Sequence, residues 1–98
     1  MYGTVARMKV KPGMEQKLME LMQAEEQISV PGYVGSVVYK LDGSPNEYFM
    51  AVVFADKDAY VKNADSPQQN KRYEEYMKML DGAPEWHDGE VAYNSLKS

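Results

Sequence analysis

Between Tyr2 and Val10 the chain is rich in β-branched and aromatic residues, and this run ends at Lys11-Pro12-Gly13, where proline removes a ladder donor and glycine permits a tight turn. The pattern predicts a first strand. From Met14 the period lengthens: Met14, Leu18, Leu21, Met22 and Ile28 recur near helical spacing, with Glu15, Gln16, Glu20 and Gln23 between them. This amphipathic helix must stop by Val30, because the residue before Pro31 is pushed out of the α region and Gly32 follows as a breaker. Tyr33 to Leu41 is valine- and tyrosine-rich, Asp42-Gly43-Ser44-Pro45-Asn46 is a dense turn signal, and Tyr48 to Ala55 is again strand-like, so the middle of the chain reads as a β-hairpin.

Asp56 is placed to cap a short helix through Tyr60, and Ser66 to cap a longer one with Pro67 at its first position. Tyr73, Tyr76, Met77 and Leu80 follow at i, i+3, i+4 and i+7, one apolar stripe that would lie on a sheet before Asp81-Gly82-Ala83-Pro84 ends the helix. Trp86 to Tyr93 completes the pattern as a final strand, with Val91 and Tyr93 on one parity and Trp86 and Ala92 on the other. The order β-α-β-β-α-β defines an α+β, ferredoxin-like sandwich: one domain over residues 1–98, a four-stranded antiparallel sheet with helices on one face, and a flexible tail at 94–98.

Tyr48-Phe49-Met50-Ala51-Val52-Val53-Phe54-Ala55 has no polar alternation, which in a short β-prone run implies a strand covered on both faces. Helices can cover one face. A chain of 98 residues has nothing left for the other, so a second copy is expected to supply it, sheet against sheet, in a homodimer.

Composition narrows the chemistry. There is no cysteine, which removes disulfides, thiolate metal sites and a cysteine nucleophile; the single histidine, His87, cannot form a multi-histidine metal site within one chain. No apolar run reaches the roughly 20 residues that span a bilayer and no signal-like start is present, so no membrane association and a cytoplasmic location are expected. With 15 acidic against 11 scattered basic residues, a net charge of -4 gives no footprint for nucleic acid.

Three groups of residues remain as candidates. His87 reads as a general base or lone ligand, or as a strand-end residue beside Trp86; alternation along a strand turns it away from Asp88 and Glu90, which argues against a metal there. Arg7, on the parity of Val5, would either hold an anionic substrate or pair with an acidic group across the dimer, the pairing being the simpler reading. Tyr39, Tyr60, Tyr73 and Tyr76 would line a cleft between helices and sheet or serve plain packing, and the eight methionines suit an adaptable apolar interior. The carboxylates Glu15, Glu20, Glu25, Glu26, Glu74 and Glu75 have helix-surface spacing and are read as solvated charge.

Along nearly its whole length the chain resembles the antibiotic biosynthesis monooxygenase family of dimeric α/β barrel proteins. The resemblance is carried by Val5-Ala6-Arg7-Met8-Lys9-Val10-Lys11-Pro12-Gly13, and by Phe54-Ala55-Asp56-Lys57-Asp58-Ala59-Tyr60 followed by Ser66-Pro67 and Tyr73. Asn63 and Gln68 stand where many relatives carry histidines. Ala6, Asn63 and Tyr73 stand where the haem-degrading branch has asparagine, tryptophan and histidine, which disfavours haem degradation. What the resemblance implies is cofactor-independent oxidation of a small or polycyclic aromatic compound of phenol, hydroquinone or anthrone type. Asn63, Tyr60 and Tyr73 would then orient a phenolate, Trp86 would give an apolar wall, and His87 or Arg7 would steady negative charge, with Tyr39 and Tyr76 as further ligand contacts. A non-catalytic ligand-binding or stress-associated dimer is the alternative, and a cavity of roughly 300 Å³ or more holding Asn63 and the tyrosines would distinguish the two.

Overall fold

Where the turn and capping signals fall, the backbone changes direction. The computed structural model of the chain describes residues 1–25 and 29–95. Its elements run β1 (Tyr2–Lys9), α1 (Glu15–Glu25), β2 (Tyr33–Lys40), β3 (Glu47–Phe54), α2 (Lys57–Ala64), α3 (Pro67–Met79) and β4 (Glu85–Glu90). The four strands form one antiparallel sheet in the order β2-β3-β1-β4, so β1 lies in the middle although it is first in the chain. This is the expected α+β, ferredoxin-like architecture.

Local chemistry accounts for the joints. Gly13 takes φ 84° in the turn that follows Pro12 and leads to α1. Gly32 takes φ 79°, and a Cβ there would come within 2.4 Å of the Ala59 Cβ, so only glycine lets the Pro31-Gly32 turn lie against α2. Both expected caps form: Asp56 Oδ1 accepts from the Ala59 amide at 2.8 Å, and Ser66 Oγ accepts from the Gln69 amide at 3.1 Å.

Two elements depart most from the boundaries read in the sequence. α2 runs past Tyr60 to Ala64, because nothing in Val61-Lys62-Asn63-Ala64 breaks a helix and the stop comes only at the Asp65-Ser66-Pro67 junction. β4 starts one residue earlier than expected, at Glu85, and ends at Glu90 rather than Tyr93. Its partner β1 begins at Tyr2, opposite Glu90, and beyond that point the Val91 amide donates to the Met1 carbonyl at 2.9 Å. Tyr93 is therefore exposed. Ile28 and Glu26, read as part of the first helical segment, and residues 96–98 of the expected tail lie outside the described residues.

The sheet has two unlike faces. Thr4, Ala6 and Met8 of β1 and Tyr48 and Phe54 of β3 are buried beneath the helices, and Leu18 of α1, Val10 and Leu80 close the core. The opposite face carries Val5, Arg7 and Lys9, then Phe49, Ala51 and Val53, then Val37 and Tyr39, in register across β1, β3 and β2. There Val5, Val37, Tyr39 and Phe49 are 49%, 47%, 59% and 36% exposed. The uninterrupted apolar run of β3 thus has one face covered by helices and one bare in the single chain.

Leu18 is 0% exposed. Leu18→Ala is expected to cost about 2–5 kcal/mol of folding stability, as a lower urea midpoint with an unchanged slope.

Candidate functional site

The helical layer does not fill the space above the sheet. A cleft of about 650 Å³ remains between α1, α3 and the strands, with an open mouth rather than a sealed interior. Its walls are mostly apolar: Met8 and Met50 from the sheet, Met19 and Met22 from α1, and at the rim Tyr73 of α3 beside Trp86 of β4. The two rings have centroids 6.2 Å apart and are inclined by 45°. Asn63 reaches it from α2 because that helix runs past Tyr60. A shallower groove of about 730 Å³, lined by the Pro31-Gly32 turn, α2 and the start of α3, shares Val30, Asn63 and Arg72 with the cleft, so the two adjoin at these residues.

A polar cluster lies on one wall. Tyr76 donates its hydroxyl hydrogen to Glu25 Oε2, linking α3 to α1. Arg72 donates to Gln69 Oε1 from Nε at 3.2 Å and from Nη2 at 2.8 Å, and its Nε stands 3.8 Å from Glu25 Oε1. Glu25 Oε1 is buried and, among the described residues, accepts no hydrogen bond. Burial first, then the hydrogen bond to Glu25 and the negative charge of Glu25, push the Tyr76 phenol well above its ordinary pKa. It stays protonated across the working pH range and serves as a donor, never as a base.

Of the residues singled out in the sequence, Asn63, Tyr73, Tyr76 and Trp86 are brought together along the cleft. Tyr60 is not among its lining residues: its hydroxyl donates to Asp88 Oδ1 at 2.8 Å and its ring packs on Tyr2 and Phe54, so it ties α2 to the sheet. Arg7, Tyr39 and His87 lie on the opposite face, beyond reach of a ligand in this cleft. Arg7 donates to Glu47 Oε1 at 2.9 Å within the same chain, and His87 Nε2 lies 3.1 Å from Glu85 Oε1. Asp88, opposite Thr4, faces the helices, as the alternation requires. Among the described residues no three histidine or carboxylate side chains converge to hold a metal ion, and no helix is long and apolar enough to cross a membrane.

Helix-surface spacing predicts Glu25 to be solvated charge, and the predicted stripe of α3 omits Arg72 and Gln69. The signal was present: Glu25 continues the stripe of Leu18 and Met22 at i+7 and i+3, and Gln69, Arg72 and Tyr76 share one face of α3. A charge placed on an apolar stripe is a buried charge.

The family model for antibiotic biosynthesis monooxygenases matches residues 1–75, and the chain belongs to this family. Solved structures agree on the fold. A conserved protein from Methanosarcina mazei is 22% identical with a TM-score of 0.77, over 90% of this chain and 89% of that one. A variant of SnoaB, a cofactor-independent oxygenase from Streptomyces nogalater, is 15% identical with a TM-score of 0.77, over 98% and 97%. A Nitrosomonas europaea protein of unknown function is 16% identical with a TM-score of 0.77, over 99% and 94%. No curated protein matches the chain in sequence.

Burial and the hydrogen bond to Asp88 push the Tyr60 phenol up to about 12. The folded state therefore keeps a proton that the unfolded chain releases near pH 10. The stability this contributes is complete below pH 10 and is lost as pH rises through about 12. Tyr60→Phe is expected to lose about 1 kcal/mol at neutral pH. It should also show a shallower decline than the parent between pH 10 and 12 in urea unfolding.

Proposed function

We propose that the protein is a cofactor-independent monooxygenase acting on a small or polycyclic aromatic compound of phenol, hydroquinone or anthrone type. The observation that carries this reading is the cleft, about 650 Å³ and walled by methionines and aromatic rings, with Asn63 and Tyr73 at its edge. Its size suits two or three fused rings. Its mostly apolar walls suit a reaction in which the substrate anion itself supplies the electrons. Oxygen adds at an activated ring carbon, and loss of water from the resulting peroxide leaves a carbonyl, so one oxygen atom enters the product and the other leaves as water. The protein's part is to exclude water and to hold the anion, with the Asn63 amide and the Tyr73 hydroxyl donating to the oxygen on which negative charge resides. Membership of the family and the fold shared with SnoaB support the same reading.

The bare sheet face supports a homodimer. Val5, Val37, Tyr39 and Phe49 form an apolar patch bordered by the Arg7–Glu47 and His87–Glu85 pairs, the arrangement of a self-complementary interface with a charged rim. On this reading Arg7, Tyr39 and His87 serve assembly.

Oxygen consumption with a panel of hydroquinones and anthrones in metal-free buffer tests the activity. The parent should exceed the background rate, and Asn63→Ala combined with Tyr73→Phe should lower kcat by about a hundredfold; a parent that binds these compounds yet consumes oxygen at the background rate is the ligand-binding alternative. Light scattering should give twice the chain mass for the parent, and Phe49→Asp should give one chain mass, since a carboxylate there would be buried against its own symmetry mate.

A further inference from the structure

We propose that Arg72 sets the ligand specificity of the cleft by binding an aromatic compound through an anionic oxygen, a phenolate or a carboxylate. The proposal rests on the reading that the cleft receives an aromatic ligand but does not depend on turnover. Among the described residues that line the cleft Arg72 is the one basic residue, and its side chain is only 17% exposed. A cation in so enclosed a place needs a close counter-charge, and Glu25 supplies an incomplete one. Its Oε1 stands 3.8 Å from Arg72 Nε, too far for an N–H···O hydrogen bond, while its Oε2 is occupied by Tyr76.

Gln69 completes the arrangement. Its Oε1 accepts from both Nε and Nη2 of Arg72, fixing the plane of the guanidinium without adding charge. Among the described residues the Nη1 amino group has no hydrogen-bonding partner. The result is a partly buried, pre-oriented cation with donor capacity left over, at the point where the cleft adjoins the outer groove beside Asn63. Met19, Met22 and Met50 and the rings of Tyr73 and Trp86 surround the remaining space with soft apolar surface. A planar ring would lie against them while its oxyanion meets Arg72. The competing account is that Arg72 only ties α3 to α1.

Trp86, the chain's only tryptophan, lines the cleft, so its fluorescence reports binding directly. The probes are anthraquinone-2-carboxylate against anthraquinone-2-carboxamide, and 2-hydroxyanthraquinone above its ionisation against its methyl ether. The parent should bind at least one anion about tenfold more tightly than its neutral counterpart; which pair shows the preference identifies the carboxylate or the phenolate as the recognised group. Arg72→Gln should bring that ratio near one while keeping affinity for the neutral probe, Arg72→Lys should retain part of it, and Glu25→Gln should raise it by removing the competing charge. A purely structural role would weaken both probes alike. A ratio near one in the parent, a ratio unchanged in Arg72→Gln, or no binding of any probe would overturn the proposal. Because binding and oxygen consumption are read separately, an inactive protein that still prefers the anion would sink the oxygenase reading and leave this one standing.

Discussion

Strand β1 has sheet neighbours on both sides and helices above it, and the alternation of its side chains governs what every other element meets. Ala6 and Met8 turn toward the helices and are buried, while Val5, Arg7 and Lys9 turn the other way. Because β3 and β4 pair with β1 residue by residue, the same parity fixes Tyr48, Met50 and Phe54 on the inner face, Phe49 and Val53 on the outer, and Trp86 inside with His87 outside. A one-residue slip would exchange the two faces and bury Arg7 where Met8 now lies. Both the position of the cleft and the bare apolar face follow from this single register.

The cleft exists because the core is closed at one end only. Val10, Leu18 and Leu80 meet in a buried cluster, joined by the Val10–Leu80 bridge. Toward the N-terminal half of α3 the inward residues are Gln69, Arg72 and Tyr73 in place of aliphatic side chains. Polar groups there cannot pack as hydrocarbon does and must find partners, which they do in the chain Tyr76, Glu25, Arg72 and Gln69 running from α1 to α3. That chain spans the helical layer without filling the volume beneath it. The methionines then line what is left with side chains able to adapt to a guest.

Much of this was legible in the sequence, and the parts that were not share a cause. Period-2 and period-3.6 patterns identify all the major elements, and Asp56 and Ser66-Pro67 place two helix starts to the residue, because caps and turns are local chemistry. The end of β4 was misplaced because it depends on where its partner β1 begins, a non-local fact. Asn63, Tyr73, Tyr76 and Trp86 come together as a cleft group: Tyr73 and Tyr76 sit on the stripe expected against the sheet, and Asn63 and Trp86 follow from the family pattern. Tyr60 shares that pattern yet donates to Asp88, 28 positions away in the sequence, a contact that local patterns do not reveal. Glu25 and Arg72 were missed because each is unremarkable alone; only their meeting across α1 and α3, 47 positions apart in the sequence, makes them a site.

The placement of titratable groups bears on what the cleft can do with a proton. His87, the chain's only histidine, lies on the opposite sheet face with Glu85. Inside the cleft, Tyr76 is held protonated and committed to Glu25, and the free oxygen of that carboxylate is buried. A ligand that must be ionised there would meet few groups able to take its proton, whereas one that arrives as an anion needs only a fixed cation and donors around its oxygen. Arg72 supplies the cation, and Asn63 and Tyr73 are among the neutral donors that line the cleft with it. On the proposed reading, the electrostatic task of this wall is to hold charge with preorganised donors, shielded from water by methionine and aromatic surface.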